Sequence, residues 1–114
     1  MTVFRVSTLI VTLFLFSLNE SHAQPGDVTI NKHPAIGTML ENPSGIAIDK
    51  SGNIYVAERR GNRIRKVDKN GLITTLAGTG KRGYNGDGIA SSRADISVPE
   101  TLLIDHAGNL VFCD

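Results

Sequence analysis

The stretch PSGIAIDKSGNIYVAE, Pro43–Glu58, returns as PETLLIDHAGNLVFCD, Pro99–Asp114. The two copies lie roughly 56 residues apart, within the range of solenoid and propeller repeats once a long loop is allowed for. Proline, isoleucine, aspartate, glycine and asparagine recur in register, and most other pairs keep their chemical type.

Outward from this stretch the pattern has period two, broken by turn residues at short intervals. Ile46 and Ile48 share one strand face, Asp49 to Asn53 with Gly52 makes a tight turn, and Ile54–Ala57 forms the next strand. Arg60, Gly61 and Asn62 turn the chain again. Ile64–Val67 is a third strand, Lys69–Gly71 a third turn, and Leu72–Ala77, rich in β-branched residues, a fourth strand. Four short antiparallel strands per repeat make the blade of a β-propeller. The expected fold is therefore all-β, a propeller segment of about one and a half four-stranded antiparallel blades. Residues 42–98 form the first blade with a Gly-rich inter-blade loop, and 99–114 open the second. Residues 24–41 are an irregular leader whose apolar run, Val28–Ile30, offers a ring-closing strand.

With 40% hydrophobic and 20% charged residues, the chain has the composition of an ordinary globular protein. Its 12 Lys plus Arg against 11 Asp plus Glu leave no global pull toward nucleic acid or anionic membrane. The first 23 residues have the three parts of a signal peptide: Arg5, the apolar run Val6–Leu18, and Ser21-His22-Ala23, with cleavage expected between Ala23 and Gln24. The run is shorter than the ~20 residues that span a bilayer. A secreted or periplasmic chain with no transmembrane segment after signal removal is the expectation. Cys113 is the single cysteine, so no intrachain disulfide is possible.

The opening P-x-G-I-A-I-D, the turn D-x-x-G-N-I-Y-V-A and the segment G-N-R-I-R-K-V-D, in this order and spacing, resemble an NHL repeat with a glycine-rich loop between blades. The resemblance covers Asn42–Asp114. It implies a propeller of about six blades, of which this chain holds only part. Thr101 departs from the pattern, which has glycine there as at Gly45, and an altered opening bend of the second blade is expected. A lone blade leaves two apolar faces in water, so the remaining blades of a longer chain, or other copies of this one, are expected partners.

LAGTGKRGYNGDG, Leu76–Gly88, contains the spacing G-x-G-x-x-G at Gly78, Gly80 and Gly83. A dinucleotide loop must open a helix at once, and Gly86 and Gly88 break one there. Lys81 is followed by Arg82 rather than Ser or Thr, which removes the Walker alternative. The loop is read as a crossing between blades, with its glycines at turns, and no cofactor is expected. Lys81, Arg82 and Tyr84 stand at its exposed tip. Asp49 and Asp87 lack the repeated carboxylates of a calcium loop and are read as acceptors for turn groups.

The one dense basic region holds Arg59, Arg60, Arg63 and Arg65, followed by Lys66 and Lys69. Some NHL propellers bind RNA, but the region lacks interleaved aromatics and is bracketed by Glu58 and Asp68, so nucleic acid is disfavoured. An amidating lyase with an NHL-like propeller holds zinc by histidines; here His33 precedes a proline in the leader and His106 sits at a turn, so no metal site is assigned. No catalytic residue is assigned either. The reading is a binding scaffold for a protein, carbohydrate or anionic ligand. The alternative is part of a propeller enzyme, a lyase or lactonase-like hydrolase, with its catalytic residues outside this segment.

Overall fold

The computed structural model describes residues 32–114 and, in addition, the strand Leu13–Ser17. The Ala23–Gln24 junction and Val28–Ile30 lie outside the described residues. The strands are β1 (Leu13–Ser17), β2 (His33–Pro34), β3 (Pro43–Ile48), β4 (Ile54–Glu58), β5 (Arg63–Val67), β6 (Leu72–Ala77), β7 (Leu102–Ile104) and β8 (Asn109–Cys113), with a 3-10 turn at Ser91–Arg93. They form two antiparallel sheets, ordered β2-β6-β5-β4-β3 and β1-β8-β7.

β3 to β6 are the four strands expected for the first blade, joined as successive hairpins, and β7 and β8 repeat β3 and β4. The leader is less irregular than expected around His33. His33 and Pro34 pair with Ile73 and Leu72 and add a short strand outside β6. Proline has no N–H to give a further strand, so this position caps an edge at little cost. β1, from the apolar stretch assigned to the signal, pairs with β8 from Leu13↔Cys113 to Ser17↔Asn109.

Alternation explains how the sheets meet. Tyr55, Ala57 and Ile64 emerge on one face of the first blade, and Leu102, Leu110 and Phe112 on the facing side of the second; with Ala77, Ala94 and Ile96 they form one buried cluster. Ala94 and Ile96 come from the long connection, so the crossing segment is part of the core. Gly45 sits where the two blades touch. A Cβ there would lie 2.2 Å from the carbonyl oxygen of Glu100. Its backbone is not among those with positive φ. The glycine of the P-x-G opening therefore serves close approach of the following blade rather than a bend, and Thr101 leaves the opening of β7 intact.

The turns are built by aspartate. Asp49 accepts hydrogen bonds from the backbone N–H of Ser51 and Asn53, both at 2.9 Å, and from Asn53 Nδ2 and Tyr55 Oη at 2.7 and 2.9 Å. Asp105 accepts in the same way from Asn109, at 2.8 Å from its N–H and 2.9 Å from Nδ2. Asp68 accepts from the N–H of Asn70 and Leu72 at 2.9 and 3.0 Å. Each turn is closed by a glycine at the fourth position in αL, Gly52, Gly71 or Gly108, with φ of 85°, 76° and 84°.

These bonds favour the carboxylates. At Asp49, burial raises the pKa, but the bonds from Asn53, Tyr55 and Ser51 outweigh it and hold the group below its ordinary value. The Leu72 N–H does the same at Asp68, and the Asn109 side chain at Asp105. A folded pKa below the unfolded value means that the unfolded chain binds more protons in acid, so stability rises with pH in that window. Stability is expected to be flat near neutrality and to fall once the pH drops below the unfolded aspartate value of about 3.9. Urea midpoints measured against pH check this: Asp49→Asn lowers the neutral plateau and flattens the acid slope, and an unchanged slope would contradict the turn account.

Candidate functional site

The three Asp turns lie at one end of the blades; the β4–β5 turn and the long β6–β7 connection lie at the other. At the second end a cavity of about 320 Å³ is lined by Asn42, Arg59, Arg60, Asn62, Arg82 and Val98. It contains no carboxylate. Three of the basic residues singled out in the sequence, from two separate segments, thus meet at one concavity.

The backbone around it is unusual. Asn42, Asn62 and Val98, with φ of 54°, 48° and 54°, are the non-glycine residues with positive φ among those described, and all three line the cavity. Asparagine tolerates this region, whereas a β-branched valine is a genuine outlier there. Asn42 and Val98 occupy matching positions before Pro43 and Pro99, so the repeat sets both. Asn62 binds the parts together. Its Nδ2 donates to the carbonyls of Arg60 and Gly80 at 3.2 and 3.5 Å, and its Oδ1 accepts the Val98 N–H at 3.1 Å.

The guanidinium groups differ in their freedom. Arg59 Nε meets Glu100 Oε1 at 2.9 Å, with both side chains half exposed, a pair that contributes little in water. Arg82 Nε donates to the Ser97 hydroxyl at 3.2 Å. Arg60 is exposed and has no side-chain partner among the described residues. Such a rim can take a carboxylate or another anion by charge-assisted, bidentate hydrogen bonds.

Arg63 and Arg65 point elsewhere. Residues two apart on a strand share a face, and Arg63 pairs in register with Glu58. Arg63 Nε and Arg65 Nη1 donate to the fully buried Glu58 Oε2 at 3.0 and 3.5 Å, and the Glu41 N–H donates to Oε1 at 2.9 Å. These two arginines neutralise a buried charge inside the blade.

In the Gly-rich segment, Gly78 and Gly80 adopt φ of 93° and 91°. Gly78 and Thr79 donate their N–H groups to the carbonyls of Ser91 and Ala94, folding the connection back on itself. The helical turn after it, Ser91–Arg93, is three residues long and eight positions beyond Gly83. Lys81 and Tyr84 are exposed, and the Tyr84 hydroxyl donates to Asp87 at 2.6 Å, so Asp87 serves a side chain rather than turn backbone.

A larger concavity of about 670 Å³ lies at the other end. There Asp49, Asp68 and Asp105 alternate with Lys32, Lys50, Lys69 and His106, so opposite charges nearly cancel. Its aspartates are already used within their turns, and no group of three or more potential metal ligands occurs among the described residues. No helix among them is long and apolar enough to cross a membrane.

At the arginine end the three arginines were legible in the sequence, and the left-handed positions Asn42 and Val98 were missed. Arg59, Arg60 and Arg82 stood out by charge. Asn42 and Val98 carried their signal in the residue preceding each repeat proline, where a constrained backbone is expected. Asp68 was missed as a turn residue although D-x-x-G recurs at Asp49, Asp68 and Asp105.

Comparison with known proteins agrees with the blade geometry. Human teneurin-4 is 30% identical over 123 residues, covering 96% of this chain, and zebrafish teneurin-3 is 51% identical over 45 residues, covering 40% of it. The Arabidopsis thaliana protein Suppressor of Quenching 1, chloroplastic, is 35% identical over 77 residues, covering 67% of the chain. The chain spans 4%, 2% and 7% of the length of these relatives. The model of the teneurin NHL domain matches residues 21–85, which include the whole first blade and the start of its connecting loop. With the repeat, the hairpin order and the blade packing in agreement, the chain belongs to the teneurin NHL domain family.

Proposed function

We propose that this chain is the exported part of an NHL propeller that binds a protein partner through an acidic segment, seated against Arg59, Arg60 and Arg82. The observation that carries the reading is their convergence on a cavity with no carboxylate in its lining, ringed by three left-handed backbones of which that of Val98 is strained. Strain such as that at Val98 costs about 1–3 kcal/mol and gathers at ligand clamps. Membership of an NHL family supports an interaction scaffold; the acidic ligand follows from the arginines. Export rests on the signal-like first 23 residues, whose removal takes β1 away from β8.

Calorimetric titration with a short polyglutamate peptide at low salt tests the proposal. Arg60→Ala and Arg82→Ala are each expected to weaken binding by about 1.5–3 kcal/mol, the value of a hydrogen bond to a charged group. Lys50→Ala and Lys69→Ala, at the opposite end, leave it unchanged. Equal losses from all four substitutions would reduce the effect to general charge.

A further inference from the structure

The arginine end carries an acid of its own. Glu100 stands outside the lining of the cavity, yet its Oε1 lies 2.9 Å from Nε of Arg59, one of the three arginines at the rim. Both side chains are half exposed, so the pair contributes little to stability. An acidic ligand needs the same guanidinium. Glu100 therefore competes with it from within the chain.

The backbone makes that competition effective. The Glu100 N–H donates to the Cys113 carbonyl at 3.2 Å, and its own carbonyl oxygen abuts Gly45. The side chain starts from a fixed point beside Arg59, and a tethered group acts at the high effective concentration of an intramolecular partner. The fold has no need of an acid here. The matching residue of the first blade is Ser44, whose hydroxyl donates to the Pro99 carbonyl at 3.0 Å. The other two rim arginines are left to a ligand: Arg82 Nε donates only to the neutral Ser97 hydroxyl, and Arg60 has no side-chain partner among the described residues.

On the reading of this end as an anion site, we propose that Glu100 is a built-in competitor that sets the affinity of the cavity. It takes the place of a ligand carboxylate on Arg59, so that an acidic segment is held by Arg60 and Arg82 and gains Arg59 only by displacing Glu100. Calorimetric titration of the chain with short polyglutamate at low salt, in a double-mutant cycle of Glu100→Gln and Arg59→Ala, tests this. Glu100→Gln is expected to tighten binding about threefold, within the range of an exposed ion pair. Arg59→Ala is expected to weaken it less than about twofold in the wild-type chain and about threefold or more in the Glu100→Gln chain, because contacting residues couple. Glu41→Gln removes a similarly exposed acid, paired with Arg63, and leaves the affinity unchanged. Circular dichroism of each variant establishes that it is folded. No gain from Glu100→Gln, an equal gain from Glu41→Gln, or an equal cost of Arg59→Ala in both backgrounds would overturn the proposal while polyglutamate binding at this end stands. No binding by either the wild-type or the Glu100→Gln chain would overturn the anion site itself, and the proposal with it.

Discussion

Replacing Glu58 with alanine is expected to destabilise the fold by about 3–5 kcal/mol, the cost of removing one partner from a buried ion pair. Glu58 is fully buried and holds three donors, the Glu41 N–H and the guanidinium groups of Arg63 and Arg65. Without it, Arg65, whose side chain is only 10% exposed, keeps a charge with no acid to balance it. Arg63 is better placed, since Glu41 Oε1 lies 3.6 Å from its Nη2 at the surface. Glu58→Gln retains an oxygen for Glu41 and is expected to cost less than alanine. Urea denaturation at neutral pH measures both. A loss below about 1 kcal/mol for Glu58→Ala, the range of exposed pairs, would show that the network is solvated.

Gly78→Ala carries the other large effect, because two penalties coincide. Its φ of 93° lies where a Cβ is disfavoured, and that Cβ would stand 2.3 Å from the Asn62 carbonyl oxygen and 2.9 Å from the Arg63 Cα. The first penalty is about 1–2 kcal/mol and the second about 1–3 kcal/mol. Gly71→Ala separates them. Gly71 has φ of 76° but nothing within 4 Å of a Cβ, so it incurs the conformational cost alone. The difference between the two unfolding free energies is the steric term, and a difference near zero would mean that the β4–β5 turn and the inter-blade connection are not locked together.

These two residues show how far the sequence could be read. The strands were legible because alternation is local: Leu72–Ala77 matches β6, and Ile54–Ala57 falls one residue short of β4. That residue is Glu58. A charged side chain at a strand end looks like the edge of a solvated face, and its burial depends on Arg63 and Arg65 crossing from the next strand. Gly45 was recognised as part of a motif, yet its reason, the backbone carbonyl of Glu100 just before β7, exists only once the blades pack. The arginine site divides in the same way. Charge pointed to Arg59, Arg60 and Arg82, but a one-dimensional cluster also included Arg63 and Arg65, and only strand register sends those two inward. Val98 in αL is opposed by its own propensity, so the repeat position rather than the residue carried the information.

The claim that the arginine end is the binding end is tested most directly by mapping amide chemical shifts as polyglutamate is added to the isotope-labelled chain. Changes are predicted at Arg59, Arg60, Asn62, Arg82 and Val98, with Lys50, Lys69 and His106 unmoved. Changes centred on the Asp-turn end, or none at low salt, would contradict it.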